Sequence, residues 1–480
     1  MAEDAYDLIV IGAGPVGENV ADRAVRGGLR AVIVERELVG GECSYWACMP
    51  SKVLLRAGAA REAAVHAPGA GVSAAGGVDV AAVLRRRDEI VHEWDDSGQV
   101  RWLHDAGIEL IRGHGRVTGE REVTVTDSAG GSTVLRANHA VAVCTGSAAL
   151  LPDVPGLADA SPWTSREATA VREVPGSLVI VGGGVVACEL ATAYASFGTS
   201  VTMLVRSGLL GGLEPIAGEA VLAALRADGV DVRLGVEPVG VERDHDGRVL
   251  VALPDGEVRA DEILVATGRT PRTGDLGLDS IGLEPGTWLD VDDTMRARGS
   301  SWLYAVGDVN HRALLTHQGK YQARAAGDVI AARARGAAVD DGRWGAHAAT
   351  ADHGAVPQVV FTNPEIAAVG RTAAAAEADG VAVEVLDYDL SWVAGASTHA
   401  DDYRGQARAV VDTERGVLIG ATFVGADVAE LLHAATIAIV GEVPIDRLWH
   451  AVPAYPTLSE VWLRWLEAYG RPPRHPEPTA

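Results

Sequence analysis

The chain has 480 residues, of which 48% are hydrophobic, and its formal net charge is −24 at pH 7. The length predicts two to four domains, and the hydrophobic content excludes a generally disordered chain. The charge disfavours binding to duplex nucleic acid or anionic membranes, because both need clustered positive charge, and no apolar run reaches the roughly eighteen residues of a membrane-spanning helix.

The N-terminal sequence and the cysteine content predict a cytoplasmic protein. The chain opens MAEDAYDLIVIG, so that acidic residues run directly into a strand, which is not the pattern of a signal peptide. Four cysteines in this length do not form the framework of a secreted, disulfide-rich protein. We therefore expect a cytoplasmic chain without a nucleic-acid or membrane partner.

The first segment, YDLIVIGAGPVGENVADRAVRGGLRAVIVERE, predicts a strand, a glycine turn, an amphipathic helix and a second strand. Gly12, Gly14 and Gly17 have the G-x-G-x-x-G spacing, and Glu35 ends the second strand. Such glycines let backbone N–H groups approach a pyrophosphate at the helix N-terminus. The acid about twenty residues further on accepts the adenosine ribose hydroxyls. The segment therefore predicts a dinucleotide site.

The next stretch, GGECSYWACMPSK at residues 40 to 52, contains Cys43 and Cys48. A redox disulfide, a metal clip and two packed thiols are the possible interpretations. In a regular helix, residues five apart have Cα atoms about 8 to 9 Å apart, beyond the roughly 7 Å limit for a disulfide, so bonding requires a distorted turn. A zinc site would need two further ligands. We expect Cys144 and Cys188 to be packed thiols, so a metal is disfavoured.

Three other residues distinguish this stretch. Lys52 is one of only two lysines, the other being Lys320, in a chain whose remaining basic residues are arginine and histidine. A compact ammonium group at this position therefore suggests a specific need for lysine. Tyr45 and Trp46 lie between the cysteines, so that two large aromatic side chains are expected to shape this region.

The segment SLVIVGGGVVACELATAYASFGTSVTMLVR repeats the first dinucleotide pattern. Gly182, Gly184 and Ala187 take the three glycine positions, and the second strand ends in Val205-Arg206 instead of an acid. An arginine there suits a 2′-phosphate, while the missing carboxylate removes the partner of a free 2′-hydroxyl. We therefore predict that this second site binds NADPH in preference to NADH.

Three later apolar strands end in residues typical of ligand contacts. VAVCTGS (141 to 147) and ILVATGRTP (263 to 271) each reach a Thr-Gly pair where the chain crosses between lobes, and LYAVGDV (303 to 309) reaches Gly307-Asp308. An acid at the carboxyl end of such a strand is well placed to bind hydroxyl groups. From about residue 346, alternating strands followed by helical patterns predict a separate α+β domain.

The ordered motifs resemble the class I pyridine nucleotide–disulfide oxidoreductases, the family of dihydrolipoamide dehydrogenase, glutathione reductase and mercuric reductase. The resemblance covers roughly residues 6 to 467. It rests on GAGPVG, GGECSYWACMPSK, CTGS, VGGGVVACE, ATGRTP, AVGD, FTNPEIAAVG and PTLSE. It implies an α/β fold with two Rossmann-like domains, for FAD and NAD(P), and a C-terminal α+β dimerisation domain that builds an obligate homodimer.

The resemblance also assigns domain boundaries and cofactor contacts. The implied boundaries are 1–150 and 271–345 for the two parts of the FAD-binding domain, 151–270 for the NAD(P)-binding domain, 346–470 for the dimerisation domain and 471–480 for a disordered tail. The implied FAD contacts are Gly12, Gly14, Gly17, Glu35, Lys52, Gly115, Thr145, Gly146, Asp308 and Thr316. The implied NAD(P)H contacts are Gly182, Gly184, Val185, Arg206 and Gly268.

The resemblance implies a catalytic role for the cysteine pair. Cys48 would lie against the flavin as the charge-transfer thiolate, and Cys43 would exchange with the substrate. Lys52 would reach the flavin N5 edge and pair with Glu189. Electrons would pass from NADPH to FAD, then to the Cys43–Cys48 disulfide, and onward to a small-molecule disulfide or dithiol or another electron acceptor.

The C-terminal motif departs from the family pattern of His-x-His-Pro-Thr followed by Glu. Here the segment reads PAYPTLSE, so Pro453 and Tyr455 replace the two histidines while Glu460 remains. A phenol, with a pKa near 10 against about 6.5 for imidazole, is a weak base at neutral pH but can still donate a proton. Two alternatives are that Tyr455 is buried against Glu460 and only fills space, or that His450 serves as the base.

These features leave three functions to be weighed. The first is an FAD-dependent, NAD(P)H-linked oxidoreductase with a redox-active Cys43–Cys48 disulfide. The second is a diaphorase or quinone-type reductase that needs no thiol exchange. The third is a redox sensor or a flavoprotein that docks in a complex. No cysteine follows Cys188 in the chain, which disfavours the mercuric reductase and high-molecular-weight thioredoxin reductase activities.

Overall fold

The computed structural model describes residues 5–67, 69–70 and 76–471, and the predicted disordered tail lies outside these ranges except for Arg471. The first part of the chain forms β1 (Ala5–Ile11), α1 (Pro15–Arg26), β2 (Ala31–Glu35), α2 (Gly41–Tyr45), α3 (Cys48–His66), α4 (Val80–Ile90), α5 (Ser97–Asp105), β3 (Glu109–Arg112), β4 (His114–Gly119), β5 (Glu122–Thr126), β6 (Ser132–Val143) and β7 (Ser147–Ala149). The second part forms α6 (Ser165–Thr169), β8 (Ser177–Val181), α7 (Val185–Ser196), β9 (Ser200–Val205), α8 (Pro215–Ala227), β10 (Asp231–Leu234), β11 (Gly240–Arg243), β12 (Val249–Leu253), β13 (Gly256–Ala260), β14 (Glu262–Val265) and β15 (Arg269–Pro271).

The chain then returns to the first sheet and builds a C-terminal unit. The returning segment contributes β16 (Leu303–Ala305) and α9 (Thr316–Ala334). The C-terminal unit forms β17 (Pro357–Val360), β18 (Glu365–Gly370), α10 (Ala373–Ala378), β19 (Val383–Asp389), α11 (Ala394–His399), β20 (Gln406–Asp412), β21 (Val417–Gly425), α12 (Leu432–Val440), α13 (Ile445–Leu448) and α14 (Val461–Tyr469). None of the helices in the described ranges is long and apolar enough to cross a membrane.

The first sheet has the order β3-β2-β1-β6-β5-β4, and β16 also pairs with β6. β1 runs parallel to both β2 and β6, and helices α1 and α9 pack against each other. Since residues 8 to 10 of β1 are fully buried, this strand reads as a continuous apolar run instead of an alternating one. The pairing of β16 with β6 returns residues after 300 to the N-terminal sheet, as expected for a two-part domain.

The second sheet is parallel, with the order β10-β9-β8-β14, beside an antiparallel meander of β11, β12 and β13. The C-terminal unit is an antiparallel sheet with the order β17-β18-β21-β20-β19, and its core includes the Phe423 and Trp465 rings, 5.3 Å apart. The predicted α/β class, with two Rossmann-like sheets and a C-terminal α+β unit, is confirmed. The residue boundaries of the domains stay predictions.

Arg87 on α4 joins that helix to the end of α6 and to the residues that follow α6. Its side chain is only 1% exposed, and its guanidinium donates to the carbonyl oxygens of Thr169 and Val171, the latter at 2.6 Å. It also donates to the Asp88 carboxylate at 2.6 Å and lies 5.3 Å from the centroid of the Trp94 ring. A buried guanidinium is tolerated only when its N–H groups are paired in this way. Arg87 therefore holds the end of α6 in place.

We predict that Arg87→Met lowers the free energy of unfolding by about 2–4 kcal/mol, because two buried carbonyl groups lose their donors. The measurement is the urea midpoint of the helical circular dichroism signal for the full chain. The matched control is Arg86→Met, since the Arg86 side chain is 62% exposed and should change the midpoint little. Equal midpoints for the two variants would contradict the structural role given to Arg87.

Candidate active site

The two cysteines lie on separate helices because the chain breaks between them. Helix α2 ends at Tyr45, Trp46 has φ −140° and ψ 5°, Ala47 has φ −137° and ψ −98°, and α3 begins at Cys48. The reason is Pro50, which has no N–H group and whose ring would clash with the carbonyl of residue 46 in a continuous helix. The structure therefore contains the distorted turn that a disulfide at this spacing requires.

The environment of the cysteines favours one thiolate, on Cys48. Both are free thiols in this structure, and the Cys48 Sγ lies 3.3 Å from the Thr316 Oγ1. The hydrogen bond from the Cys43 thiol, the bond to Thr316 and the charge of Lys52 lower the pKa of Cys48 against the effect of burial. The bond to Cys48 and burial raise the pKa of Cys43. The first proton therefore leaves from Cys48, while Cys43 keeps its own.

Lys52 and Glu189 form the pair that the motifs imply. The Lys52 Nζ lies 2.8 Å from the Glu189 Oε2, and the other carboxylate oxygen accepts the backbone N–H of Phe361 at 3.0 Å. The ammonium also lies 5.1 Å from the centroid of the Phe361 ring. Since the Glu189 side chain is buried in α7, this salt bridge joins the helix of the second nucleotide site to the cysteine helix α3.

A cleft at the carboxyl edge of the first sheet collects most of the predicted FAD contacts. The predicted contacts that line it are Gly12, Gly14, Glu35, Gly115, Thr145, Gly146, Asp308 and Thr316, together with Cys43. Gly17 lies behind this surface in α1, and Lys52 lines a separate groove that also contains Cys48 and Thr316. The helical residues Thr316 and His317 begin α9 at the junction of the two cavities.

The cleft has the shape and polarity that FAD requires. Gly12 has φ +104°, and a Cβ there would lie 2.5 Å from the carbonyl oxygen of Cys144. The Oγ1 of Thr145 is buried without a hydrogen-bond partner among the described residues, so the cleft offers it no protein acceptor or donor. The Glu35 carboxylate accepts the N–H groups of Ala13 and Glu37 at 2.6 and 2.7 Å, yet retains lone pairs for ribose hydroxyls. These residues fit the cofactor.

A charged network in this cleft was missed in the sequence analysis. Glu42, beside Cys43, accepts hydrogen bonds from Arg269 at 2.8 Å and Arg272 at 2.7 Å. Arg269 also donates to the Ser147 hydroxyl at 2.5 Å, which donates to the Asp308 carboxylate at 2.6 Å. Arg269 belongs to the quoted stretch ILVATGRTP and Arg272 directly follows it, but their pairing with an acid more than 220 residues away has no local signal.

The second site lies at the carboxyl edge of the second parallel sheet. Gly182 has φ +132°, and a Cβ there would collide with the carbonyl oxygen of Ala266. Gly184 precedes α7, which begins at Val185, and a Cβ at Gly184 would meet no atom within 4 Å. Arg206 follows β9 with 80% of its side chain exposed and lies 4.0 Å from Glu237, so its guanidinium is accessible.

Gly268 completes this part of the predicted set. It follows β14 and precedes the short strand β15. Because β8, β9 and β14 are parallel neighbours, the residues that follow them meet at one edge of the sheet. The structure therefore brings Gly182, Gly184, Val185, Arg206 and Gly268 to one end of the domain.

The C-terminal motif lies outside the two cavities that the cysteines line. Tyr455 is 78% exposed and Val452 is 84% exposed, so Tyr455 is not buried against Glu460 within a single chain. The buried Glu460 carboxylate instead accepts the backbone N–H of Gly395 at 3.2 Å, which positions it at the start of α11. His450 is exposed after α13.

Comparison with known proteins connects this geometry to a family. Residues 6–328 match the pyridine nucleotide-disulphide oxidoreductases, and residues 356–465 match the dimerisation domain of the same group. A dihydrolipoyl dehydrogenase of Halobacterium salinarum is 34% identical over 478 residues, covering 96% of this chain and 95% of the relative. A mercuric reductase of Acidithiobacillus ferrooxidans is 32% identical over 463 residues, covering 94% of this chain and 80% of the relative.

Solved structures share the fold. The HOCl-induced flavoprotein disulfide reductase RclA of Escherichia coli superposes with a TM-score of 0.80 at 23% identity, covering 96% of this chain and 99% of that one. LpdA of Mycobacterium tuberculosis superposes with a TM-score of 0.81 at 24% identity, with the same coverage. The resemblance seen in the motifs is thus confirmed: the chain belongs to the class I pyridine nucleotide–disulfide oxidoreductases, a family of NAD(P)H-dependent flavoprotein oxidoreductases.

Proposed function

We propose that this protein passes electrons from NADPH, through FAD, to the Cys43–Cys48 disulfide and then to a small-molecule disulfide. The observation that carries the proposal is the environment of Cys48, whose pKa is lowered by the hydrogen bond from Cys43, by Thr316 at 3.3 Å and by the charge of Lys52. FAD, when bound, supplies a hydride acceptor and a two-electron donor to the disulfide. Two electrons and one proton then convert the disulfide into the Cys43 thiol and the Cys48 thiolate.

The residues of the chain have distinct tasks in this scheme. Cys43 is protonated in the reduced pair, because burial and the neighbouring sulfur raise its pKa. Once its proton has passed to solvent, Cys43 attacks the substrate disulfide and releases one half of the substrate as a thiol. Cys48 then attacks the Cys43 sulfur, which releases the other half and re-forms the Cys43–Cys48 disulfide. Lys52, held at 2.8 Å by Glu189, keeps a positive charge beside the pair. Cytoplasmic location, predicted from the sequence, remains part of the proposal.

The choice of NADPH depends on Arg206. Its guanidinium follows the second strand of the nucleotide fold and is 80% exposed, as access for a 2′-phosphate requires. Glu237, the nearest acid, is paired with it only at 4.0 Å, so the ion pair is weak and is easily exchanged for a phosphate.

We further propose that the active unit is an obligate homodimer in which Tyr455 of the partner subunit serves each cysteine pair. The match of residues 356–465 to a dimerisation domain supports a dimer. The exposure of Val452 and Tyr455 leaves this segment available to a second copy. Tyr455 would donate a proton to a departing thiolate, since a phenol with pKa near 10 is a poor base at neutral pH.

The tyrosine also favours a second candidate function, reduction of a quinone-type acceptor. Such an acceptor takes electrons without thiol exchange, so it has no need for the base that histidine provides in relatives. The two functions share the nucleotide sites and differ in whether Cys48 is required.

Replacement of Cys48 separates the two functions. We expect Cys48→Ser to reduce NADPH-driven disulfide reduction by more than about a thousandfold while FAD stays bound, because the disulfide can no longer form. The control is Cys188→Ala, which removes a buried thiol whose pKa burial raises to about 12. Quinone reduction at the wild-type rate in Cys48→Ser, with negligible disulfide reduction by the wild-type protein, would favour the second function.

Replacement of Arg206 tests the nucleotide. We expect Arg206→Glu to lower kcat/KM for NADPH by roughly 10- to 100-fold, because a charge-assisted contact to the 2′-phosphate is replaced by repulsion. The value for NADH should change little. The control is Arg248→Glu, at another exposed arginine of the same domain. If the ratio of kcat/KM for NADPH to kcat/KM for NADH stays unchanged, the assignment of Arg206 is refuted.

Replacement of Tyr455 tests the proton donor. We expect Tyr455→His to raise turnover of small disulfides by roughly tenfold near pH 7, because imidazole exchanges protons there. His450→Ala is the companion variant, and its turnover should stay near the wild-type value. A fall or no change in Tyr455→His would show that residue 455 does not limit thiol exchange, and a loss in His450→Ala would assign the base to His450.

A further inference from the structure

Trp46, which lies between the two cysteines, is held from outside by helix α6 of the second nucleotide-binding domain. The Arg166 guanidinium lies 3.7 Å from the centroid of the Trp46 ring. The Thr169 hydroxyl lies 2.9 Å from the Trp46 carbonyl oxygen. Both the ring and the carbonyl of the residue at the helix break therefore contact a single short helix that is more than 100 residues away in the chain.

The Trp46 carbonyl depends on this hydroxyl. In a helix it would accept the N–H of the residue four positions later, and that residue is Pro50, which has none. Among the backbone hydrogen bonds of turns, loops and helix ends in the described residues, none has the Trp46 carbonyl oxygen as its acceptor. The Thr169 hydroxyl also lies 2.9 Å from the carbonyl oxygen of Ser165 and 3.3 Å from that of Arg166, but the Ser165 carbonyl is four residues earlier in α6 and is the usual acceptor of the Thr169 amide.

Arg166 adds a second contact that is charged. Its guanidinium pairs with the Glu37 carboxylate at 2.6 Å while it covers the Trp46 ring. A guanidinium over an indole face is attracted by the negative face of the ring. The ion pair fixes the direction of the guanidinium, so the indole ring has a defined surface to pack on.

Helix α6 is a rigid support, although it has only five residues. Thr164 and Glu167 close a capping box at its start. The buried Tyr194 of α7 donates its hydroxyl to the Ala168 carbonyl at 2.7 Å, and Arg87 donates to the Thr169 carbonyl. Contacts from two other helices therefore hold the hydroxyl of Thr169 where the cysteine turn needs it.

We propose that Thr169 and Arg166 are positioning residues for the cysteine pair, which they hold in disulfide-forming geometry through Trp46. The inference rests on the proposed redox role of Cys43 and Cys48. Without the contacts, residues 46 and 47 are no longer held in this conformation of the turn, although Pro50 still prevents a continuous helix. The dithiol then reaches conformations in which the two sulfur atoms lie too far apart to bond, so the equilibrium moves toward the dithiol.

The test measures that equilibrium in the purified full-length protein equilibrated with oxidised and reduced dithiothreitol. One protein disulfide takes two electrons from reduced dithiothreitol, whose own disulfide closes, and its protons pass to the protein sulfurs or to solvent. The fraction of dithiol is read by alkylation and mass spectrometry. We expect Thr169→Val to raise the ratio of dithiol to disulfide by about fivefold, or about 20 mV, since tenfold is about 30 mV for two electrons.

Two further variants isolate the mechanism. Thr169→Ser keeps the hydroxyl and should restore the wild-type ratio, whereas Arg166→Met should move the ratio in the same direction as Thr169→Val. The matched control is Thr199→Val, because the buried Thr199 hydroxyl also donates to a backbone carbonyl at 2.9 Å, that of Pro175, away from the cysteines. Thr199→Val should leave the ratio unchanged.

The outcomes distinguish this inference from the proposed function. Suppose that the wild-type pair forms a disulfide and that the dithiol-to-disulfide ratios of Thr169→Val and Arg166→Met lie within twofold of the wild-type ratio. This result overturns the positioning role and leaves the proposed function standing. An equal shift in Thr199→Val also overturns it, since general destabilisation then explains the effect. A wild-type pair that never forms a disulfide overturns both. If Thr169→Val does not fold, the Arg166→Met ratio decides.

Discussion

The site depends on one constraint, which is that Pro50 prevents a continuous helix through the cysteine stretch. Because Pro50 has no N–H group, the carbonyl of Trp46 turns outward and the chain divides into α2 and α3. Cys43 and Cys48 then approach each other from two helices. Lys52 lies one turn into α3, where its ammonium meets Glu189 at 2.8 Å. Pro50 thus determines how the two cysteines approach each other and where α3, the helix that carries Lys52, begins.

In the active region, positively charged side chains lie next to the carboxylates and the cysteines, although the chain as a whole has a net charge of −24. Glu42 is next to Cys43 and would disfavour a nearby thiolate, but Arg269 and Arg272 hold it at 2.8 and 2.7 Å. The Cys43 thiol, Thr316 and Lys52 act on Cys48 instead, and they lower its pKa. The two sulfurs therefore differ in protonation although they are chemically identical, and this difference is what a stepwise thiol exchange uses.

The second nucleotide-binding domain contacts the cysteine region at two separate points. Glu189 on α7 reaches Lys52, and Thr169 on α6 reaches Trp46. The hydroxyl of Tyr194 joins the two helices by donating to Ala168 at 2.7 Å. The domain with the second nucleotide-binding fold therefore also contacts the segment that carries the two cysteines. The exposed Tyr455 lies outside this arrangement, on the surface of the C-terminal unit.

The sequence alone predicted the fold class and the nucleotide turns, because glycine spacing and strand patterns act over a few residues. It also indicated the Lys52–Glu189 pair through family resemblance. It missed the pairing of Glu42 with Arg269 and Arg272, and the contact of Thr169 with Trp46, because each joins side chains more than 100 residues apart. It left the burial of Tyr455 open, because the exposure of that side chain depends on how the C-terminal unit packs. Only the tertiary structure decides such contacts, since hydrogen bonds and burial depend on distances that local patterns do not contain.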